Sequence, residues 1–455
     1  MPTLTGKLQK YPARTSFYWY LGTLVVGTMV LRHPWCSARP EAPITWMDAL
    51  FTATSALCVT GLNVRSTPHD FSLLGQLTIL ALIQLGGVGI MTITSFILTQ
   101  FSEHSGLRQQ TVIFETLGGS KKSNLKNIIQ RVLLVTFVLE FCGAMCMLPQ
   151  FLTLHPLPTA LYHSVFYSVS AFCNAGFALD DNSLVPFRGD LSINLTIMSL
   201  IIAGGIGYPV LTDLIRCLRR YGWRLWPELT LHSKLMIIGS ASLIFGGAVI
   251  FYLLEADGVL SNLSTREKIL APLFHSVSCR TAGFNTINIA DLSIASLFIS
   301  IALMVVGAGA CSTGGGVKVS TVALLFLHAW SRFQNHKYIQ LFRRTIPISA
   351  VDRAMASAMV FLTIATAALT VILVVEQTGN KSGDVFIDFM FEVASALGTV
   401  GLSTGLTPEL NNPGRIVLII LMFVGRLGPI SVFAALSRER RVPSVRFASE
   451  EPLVG

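Results

Sequence analysis

Charge is what this sequence has least of. Only 13% of its 455 residues are Asp, Glu, Lys or Arg, while 52% are hydrophobic and the mean hydropathy is +0.63. Soluble domains carry about 25% charged residues, so two or three soluble domains are excluded and lipid is the expected solvent. The nine histidines include no His-x-x-x-His or His-Glu-x-x-His spacing, which leaves the common zinc arrangements without ligands. No set of nucleophile, acid and base is legible, so an enzyme is not expected and no cofactor is implied for the chain itself. The eight cysteines stand singly in apolar surroundings, except Cys142 and Cys146, one helical turn apart with no His or acidic partner beside them. They read as small buried hydrophobes, not as a disulfide or metal set. The net charge of +9 does not point to nucleic acid, because the basic residues sit in short clusters between apolar runs, the pattern of membrane topology.

What the chain has in excess is repetition. Four similar segments occur: Cys58-Val59-Thr60-Gly61-Leu62, Cys173-Asn174-Ala175-Gly176-Phe177, Arg280-Thr281-Ala282-Gly283-Phe284 and Gly398-Thr399-Val400-Gly401-Leu402. Their glycines are 115, 107 and 118 residues apart, and Ser55, Ser170, Ser278 and Ser395 lie a few residues before them. Internal repetition of this kind governs the fold.

The apolar runs place these segments. After a basic tail (Lys7, Lys10, Arg14), residues 15–31 read as a retained first helix, because further spans follow at once. Residues 46–57 fall short of the ~20 needed to cross a bilayer core and are expected to dip in as a re-entrant helix. A full span at 70–101 follows, with Gly86-Gly87-Val88-Gly89 in its middle. The same order of span, half-helix and span recurs at 125–150, 159–172 and 191–214, the last holding Gly204-Gly205-Ile206-Gly207. It recurs again at 231–254, 266–279 and 292–330, and then at 354–376, 385–397 and 416–436, which holds Gly425-Arg426-Leu427-Gly428.

The expected fold is an all-α polytopic membrane protein of eight spans and four half-helices. Its four span/pore-helix/span repeats (15–101, 125–220, 231–331 and 353–437) are arranged with pseudo-fourfold symmetry around a central pore, between cytoplasmic tails 1–14 and 438–455. Of the 33 Lys and Arg residues, this topology puts 22 on the cytoplasmic side, eight outside and three (Arg280, Lys318, Arg426) within the membrane. That excess favours both termini inside.

Non-helical backbone at membrane depth needs protein or a water-filled cavity around it. Four glycine segments about one axis supply a ring of carbonyl oxygens able to replace the hydration shell of a potassium ion. Glycine allows the φ > 0 that turns a carbonyl inward, and the half-helix C-termini favour a cation there. The filter candidates are therefore Val59, Thr60, Gly61, Asn174, Ala175, Gly176, Thr281, Ala282, Gly283, Thr399, Val400 and Gly401. Asn174 either adds a side-chain oxygen to the ring or braces its loop. A single glycine per segment, with no Thr-Val-Gly-Tyr-Gly run, implies a short filter.

The run 292–330 is about twice one span. Its centre, 307–318, holds Gly307, Gly309, Ser312, Thr313, Gly314, Gly315, Gly316 and Lys318, with five glycines in the ten residues 307–316. At roughly 1 kcal/mol each relative to Ala, these oppose a straight helix, so a broken helix is expected, with its loop crossing the pore below the filter. The loop resembles a phosphate-binding loop only superficially, since the residue order is wrong and no soluble strand precedes it. Lys318 either caps loop carbonyls or faces the inner vestibule. Arg426, a charge at membrane depth, is expected to bond carbonyls of the 307–316 loop, with snorkelling to the inner interface as the alternative. Arg280 is expected to brace filter loops or Glu392. Glu140, Asp213, Glu255 and Glu376 are expected at membrane interfaces, with a coupling-ion role as the alternative.

The four glycine segments resemble the filter segments of the Trk/Ktr/HKT superfamily of potassium transporters, and the resemblance runs from residue 15 to about 440. The start of the pore unit so close to the N-terminus is more similar to the KtrB type of membrane subunit than to TrkH. The resemblance implies potassium uptake, with potassium bound at the filter as substrate and the 307–318 loop as gate. It also implies a homodimer in a plasma (bacterial inner) membrane, in contact with lipid, and a separate cytoplasmic nucleotide-binding regulatory partner of the KtrA type. In that superfamily a Ser at the first filter glycine accompanies sodium transport, so Gly61 favours potassium; sodium as activator is left undecided. The competing readings are a sodium-coupled secondary cation transporter, which would show two inverted repeats, and a TrkH-like subunit.

Overall fold

The computed structural model describes residues 12–39, 41–103, 125–336, 338–342, 344–376 and 384–428. The chain runs α1 (Pro12–Arg32), α2 (Trp46–Leu57), α3 (Leu73–Glu103), α4 (Leu125–Leu152), α5 (Leu157–Cys173), α6 (Leu191–Ile206) and α7 (Tyr208–Tyr221). It continues through α8 (Leu231–Glu255), α9 (Thr265–Ser278), α10 (Ile294–Val305), α11 (Val319–Phe333), α12 (Ile348–Val375), α13 (Asp384–Gly398) and α14 (Asn412–Leu427). The expected C-tail, most of the N-tail and the end of the last span beyond residue 428 lie outside the described residues.

The short helices α2, α5, α9 and α13 form the interior. α2 and α9 start at capping boxes, Thr45 with Asp48 and Ser264 with Glu267, which satisfy the first free N–H groups and set the entry of each helix. Their last turns are wholly buried: Ala53 to Leu57 in α2 and Val169 to Cys173 in α5. The long helices wrap around them and turn large apolar side chains outward, such as Leu134, Phe137 and Phe141 on α4 and Phe245, Val249 and Leu253 on α8. A helix whose exterior is this apolar is one that faces lipid. Among the described residues Gln130–Leu152, α8 and α12 are long and apolar enough to cross a membrane, and the α6–α7 pair adds a fourth if it counts as one span.

The structure corrects three expectations. The span at 191–214 is not continuous: it bends by 104° between α6 and α7. Gly207 takes φ +97° there, Pro209 sits in the first turn of the next helix, and the Tyr208 N–H donates to Cys311 O at 3.1 Å instead of within a helix. A short antiparallel hairpin, β1 (Ile339–Leu341) and β2 (Arg344–Ile346), interrupts the all-α pattern, pairing Ile339 with Ile346 so that both pack on Val351. Finally, Cys142 and Cys146 are exposed, on the apolar outer face of α4 beside Phe141 and Met145, whereas the other six cysteines are buried.

Candidate functional site

All four glycine segments share one backbone conformation at the ends of α2, α5, α9 and α13. The first of each trio is left-handed, at Val59 (φ 55°), Asn174 (60°), Thr281 (72°) and Thr399 (51°), and so is each glycine, at Gly61 (97°), Gly176 (70°), Gly283 (77°) and Gly401 (93°). Non-glycine residues adopt this region at a cost of ~1–2 kcal/mol, so the surroundings must impose it. The repeat serines do part of this. The Gly61 and Gly401 N–H groups donate to the hydroxyls of Ser55 and Ser395 at 3.0 Å, while Ser170 and Ser278 donate to the carbonyls of Phe177 and Phe284.

The segments close on one another in cyclic order. A Cβ added at Gly61 would lie 2.5 Å from Ala175 O; at Gly176, 2.8 Å from Ala282 O; at Gly283, 2.5 Å from Val400 O; and at Gly401 it would overlap Thr60 O. Each glycine thus faces the carbonyl of the middle residue in the next segment, and a side chain at any of the four would fill that approach. Val59, Thr60, Ala175, Ala282, Thr281, Thr399 and Val400 are fully buried. On one side of the ring an open cavity of about 840 Å³ is lined by all four glycines and also by Asp70, Asp180 and Asp181.

On the other side lies the break between α10 and α11. The loop is folded as a narrow strip: Gly307 N–H donates to Val317 O at 2.9 Å, and Val317 N–H to Val305 O at 3.1 Å. Its tip is tied to the surrounding repeats. Gly309 and Thr313 N–H groups donate to Gly205 O and Gly204 O at 2.7 and 3.2 Å. The Thr313 hydroxyl donates to Phe172 O at 3.3 Å, and Gly315 N–H to the Thr399 hydroxyl at 3.0 Å. The Ser312 hydroxyl bonds back to Gly309 O at 2.7 Å. Gly314 and Gly315 press against Thr281 and Thr399, so close that a Cβ on either would overlap a threonine hydroxyl, and Gly316 is left-handed (φ 68°).

Two cations fasten this loop. Lys318 Nζ donates to Gly314 O and Gly315 O at 2.8 and 3.3 Å, so it caps carbonyls of its own loop. Arg426 is 4% exposed and does not snorkel; one terminal nitrogen donates to Thr313 O and the other to Gly86 O at 2.6 Å. Buried charge-assisted hydrogen bonds are the stronger kind.

The glycine clusters that carried no assignment in the sequence now have one. Gly86, Gly204 and Gly425 pack against the carbonyls of Leu57, Phe172 and Leu397, with no room for a Cβ; these carbonyls lie four residues before Gly61, Gly176 and Gly401. The following span in these three repeats thus approaches the end of its short helix closely.

Arg280 and Glu140 stand elsewhere than expected, and Asn174 and the other acids singled out in the sequence find partners. Arg280 is 6% exposed and bonds Ser240 on α8, through the hydroxyl at 2.9 Å, and not Glu392. Glu392 instead accepts from the Ser403 and Thr407 hydroxyls and the Thr404 N–H, pinning the chain after the fourth segment. Asn174 braces: with its amide oriented to satisfy both ends, it donates to Ala171 O and Ile201 O at 3.1 and 3.2 Å and accepts from the Thr281 hydroxyl at 3.3 Å. Asp213, Glu255 and Glu376 cap helix starts, accepting from Thr230, Ser293 and Asn411 N–H groups. Glu140 departs from its expected interface position. It is 5% exposed in mid-α4, where the Gln84 amide donates to it at 3.1 Å behind the second segment.

Comparison with known proteins follows the geometry. The family model "TrkH: Cation transport protein" matches residues 22–447. The Ktr system potassium uptake protein B of Vibrio alginolyticus is 36% identical over 92% of this chain and 90% of its own. The potassium/sodium uptake protein NtpJ of Enterococcus hirae is 33% identical over 95% of this chain and 94% of its own. Among solved structures, the potassium transporter TrkH from Vibrio parahaemolyticus superposes with a TM-score of 0.70 at 18% identity, covering 92% of this chain and 84% of that one, a likeness of fold.

Proposed function

Because the chain belongs to the TrkH family of cation transport proteins, we propose that it takes up potassium through the ring of Gly61, Gly176, Gly283 and Gly401 and that the loop around 307–318 gates that path. The observation that carries this reading is the cyclic approach of each glycine to the next segment's carbonyl. Thr60, Ala175, Ala282 and Val400 then offer one layer of oxygens beside a cavity whose lining includes Asp70, Asp180 and Asp181. Carbonyl rings of this kind compensate the dehydration of a monovalent cation, while acidic groups at a mouth raise its local concentration.

The loop tip, held against Thr281 and Thr399, closes the far side of the ring, and the pore has fourfold pseudosymmetry. An even number of spans, eight, leaves both termini on one side, and we take that side to be the cytoplasm of a bacterial cell because this topology gives it 22 of the 33 basic residues. The subunit works as a homodimer with a separate nucleotide-binding regulatory protein docked on the basic inner face.

The test is rescue of a potassium-uptake-deficient bacterium at low external potassium, with and without sodium. The wild-type chain restores growth. Gly283→Ser and Gly401→Ser, whose new Cβ atoms would meet Val400 O and Thr60 O, reach the membrane but lose at least tenfold in potassium-over-sodium preference. Absence of rescue by well-expressed wild-type protein overturns the assignment.

A further inference from the structure

We infer that the cleft between the start of α6 and the start of α9 is a binding site for the phosphate of a glycerophospholipid headgroup. The site rests on the membrane topology proposed above, and not on the filter or the gate. The cleft has a volume of about 930 Å³ and is lined by Arg188, Asp190, Ser192, Arg266 and Glu267. Its lining also includes Leu191 and Leu195, which are 42% and 49% exposed. One helical turn apart on α6, these leucines put exposed apolar surface in the same cleft as two guanidinium groups, the two chemistries that a phospholipid joins.

The acids in the cleft are already committed. Asp190 accepts the Ile193 N–H at 3.0 Å as the cap of α6. Glu267 accepts the Ser264 N–H at 3.0 Å and the Ser264 hydroxyl at 2.8 Å as the cap of α9, and the Arg188 Nε at 2.8 Å. Arg188 spends that nitrogen on Glu267, and its side chain lines the cleft. Among the described residues Arg266 makes no hydrogen bond or ion pair through its side chain. This sets it apart from the other arginines of the same face: Arg39 pairs with Asp70, Arg65 and Arg415 both pair with Asp48, and Arg32 lies over the Trp46 ring.

Basic residues are scarce on this face, and two of them, Arg188 and Arg266, line this one cleft. A phosphodiester held there would tie the outer leaflet to the start of α9, the helix that carries Gly283 at its far end.

The experiment uses the full chain, purified in detergent, with retained lipid counted by native mass spectrometry and thermal stability followed in parallel. Three probes are compared: phosphatidylglycerol, diacylglycerol of the same acyl length, and inorganic phosphate. Wild-type protein is expected to retain and be stabilised by phosphatidylglycerol only. Arg266→Gln should weaken that retention about fivefold, the contribution of one basic residue at a membrane surface, and Leu195→Gln should weaken it also. Both residues are exposed, so folding should survive; if either variant fails to fold, the three-probe comparison on wild-type protein still decides. Equal retention of diacylglycerol, equal stabilisation by inorganic phosphate, or undiminished retention by folded Arg266→Gln overturns the inference.

Discussion

Arg426→Ala should open the proposed gate. Of the two bonds Arg426 makes, the one to Gly86 O holds it to α3, a wall of the bundle, while the one to Thr313 O reaches the loop tip. When the loop moves only the second must break. A hydrogen bond to a charged group contributes about 1.5–3 kcal/mol; taking ~2 kcal/mol, the closed state loses a factor of about thirty relative to the open one. Rubidium uptake into proteoliposomes should therefore start up to thirtyfold faster, capped only where the wild type is already open for more than a few per cent of the time. Lys318→Met provides the internal comparison: Lys318 bonds Gly314 O and Gly315 O of its own loop, so its bonds travel with the loop and its loss should shift the equilibrium far less. A monodisperse, folded Arg426→Ala protein whose uptake is unchanged or slower than wild type would refute the latch.

Two further outcomes test the parts around it. Ser395→Ala leaves the buried Gly401 N–H without its acceptor, a loss of roughly 1–3 kcal/mol, and should raise the KM for potassium several-fold at normal expression. Gly207→Ala puts a Cβ on a residue at φ +97° facing Ala310 O and should cost at least ~1–2 kcal/mol, read as a lower thermal midpoint of the detergent-solubilised protein; an unchanged midpoint would mean the bend tolerates a side chain.

The repeat was legible in the residues because its signal is long-range and redundant. Four glycines at matched distances from short apolar runs located the ends of α2, α5, α9 and α13 to within about two residues, and the glycine density of 307–316 marked the break between α10 and α11. Arg426 was legible too, since an arginine in an apolar span must find buried acceptors. Other features had no local signature. The left-handed Val59, Thr281 and Thr399 are β-branched, the residue type least suited to φ > 0, and only neighbouring segments force that conformation on them. The bend at Gly207 depends on Cys311 O, about a hundred residues away. Arg280 and Glu392 are each buried and of opposite charge, which suggests a pair; their partners were decided by which helices pack behind which segment, and that is not written in either residue's neighbourhood.

The same contacts imply that selectivity and gating are mechanically one system under the proposed reading. Thr281 and Thr399 are members of the ring segments, yet their hydroxyls are also what the loop tip rests on: Gly315 N–H donates to Thr399, and Gly314 packs on Thr281. The Thr281 hydroxyl in turn bonds Asn174 in the neighbouring segment. A loop that leaves must therefore surrender a hydrogen bond to the fourth segment and unload the third, while the second loses the bond from Thr313 to Phe172 O. The third segment meets the loop by packing alone, and the first is reached through Gly86, which packs on Leu57 and accepts from Arg426. All four quarters of the ring are thus coupled to one moving element, by four different contacts. A filter built from four unequal sequences needs such unequal supports to hold its carbonyls level, and a gate anchored to those supports cannot open without relaxing them.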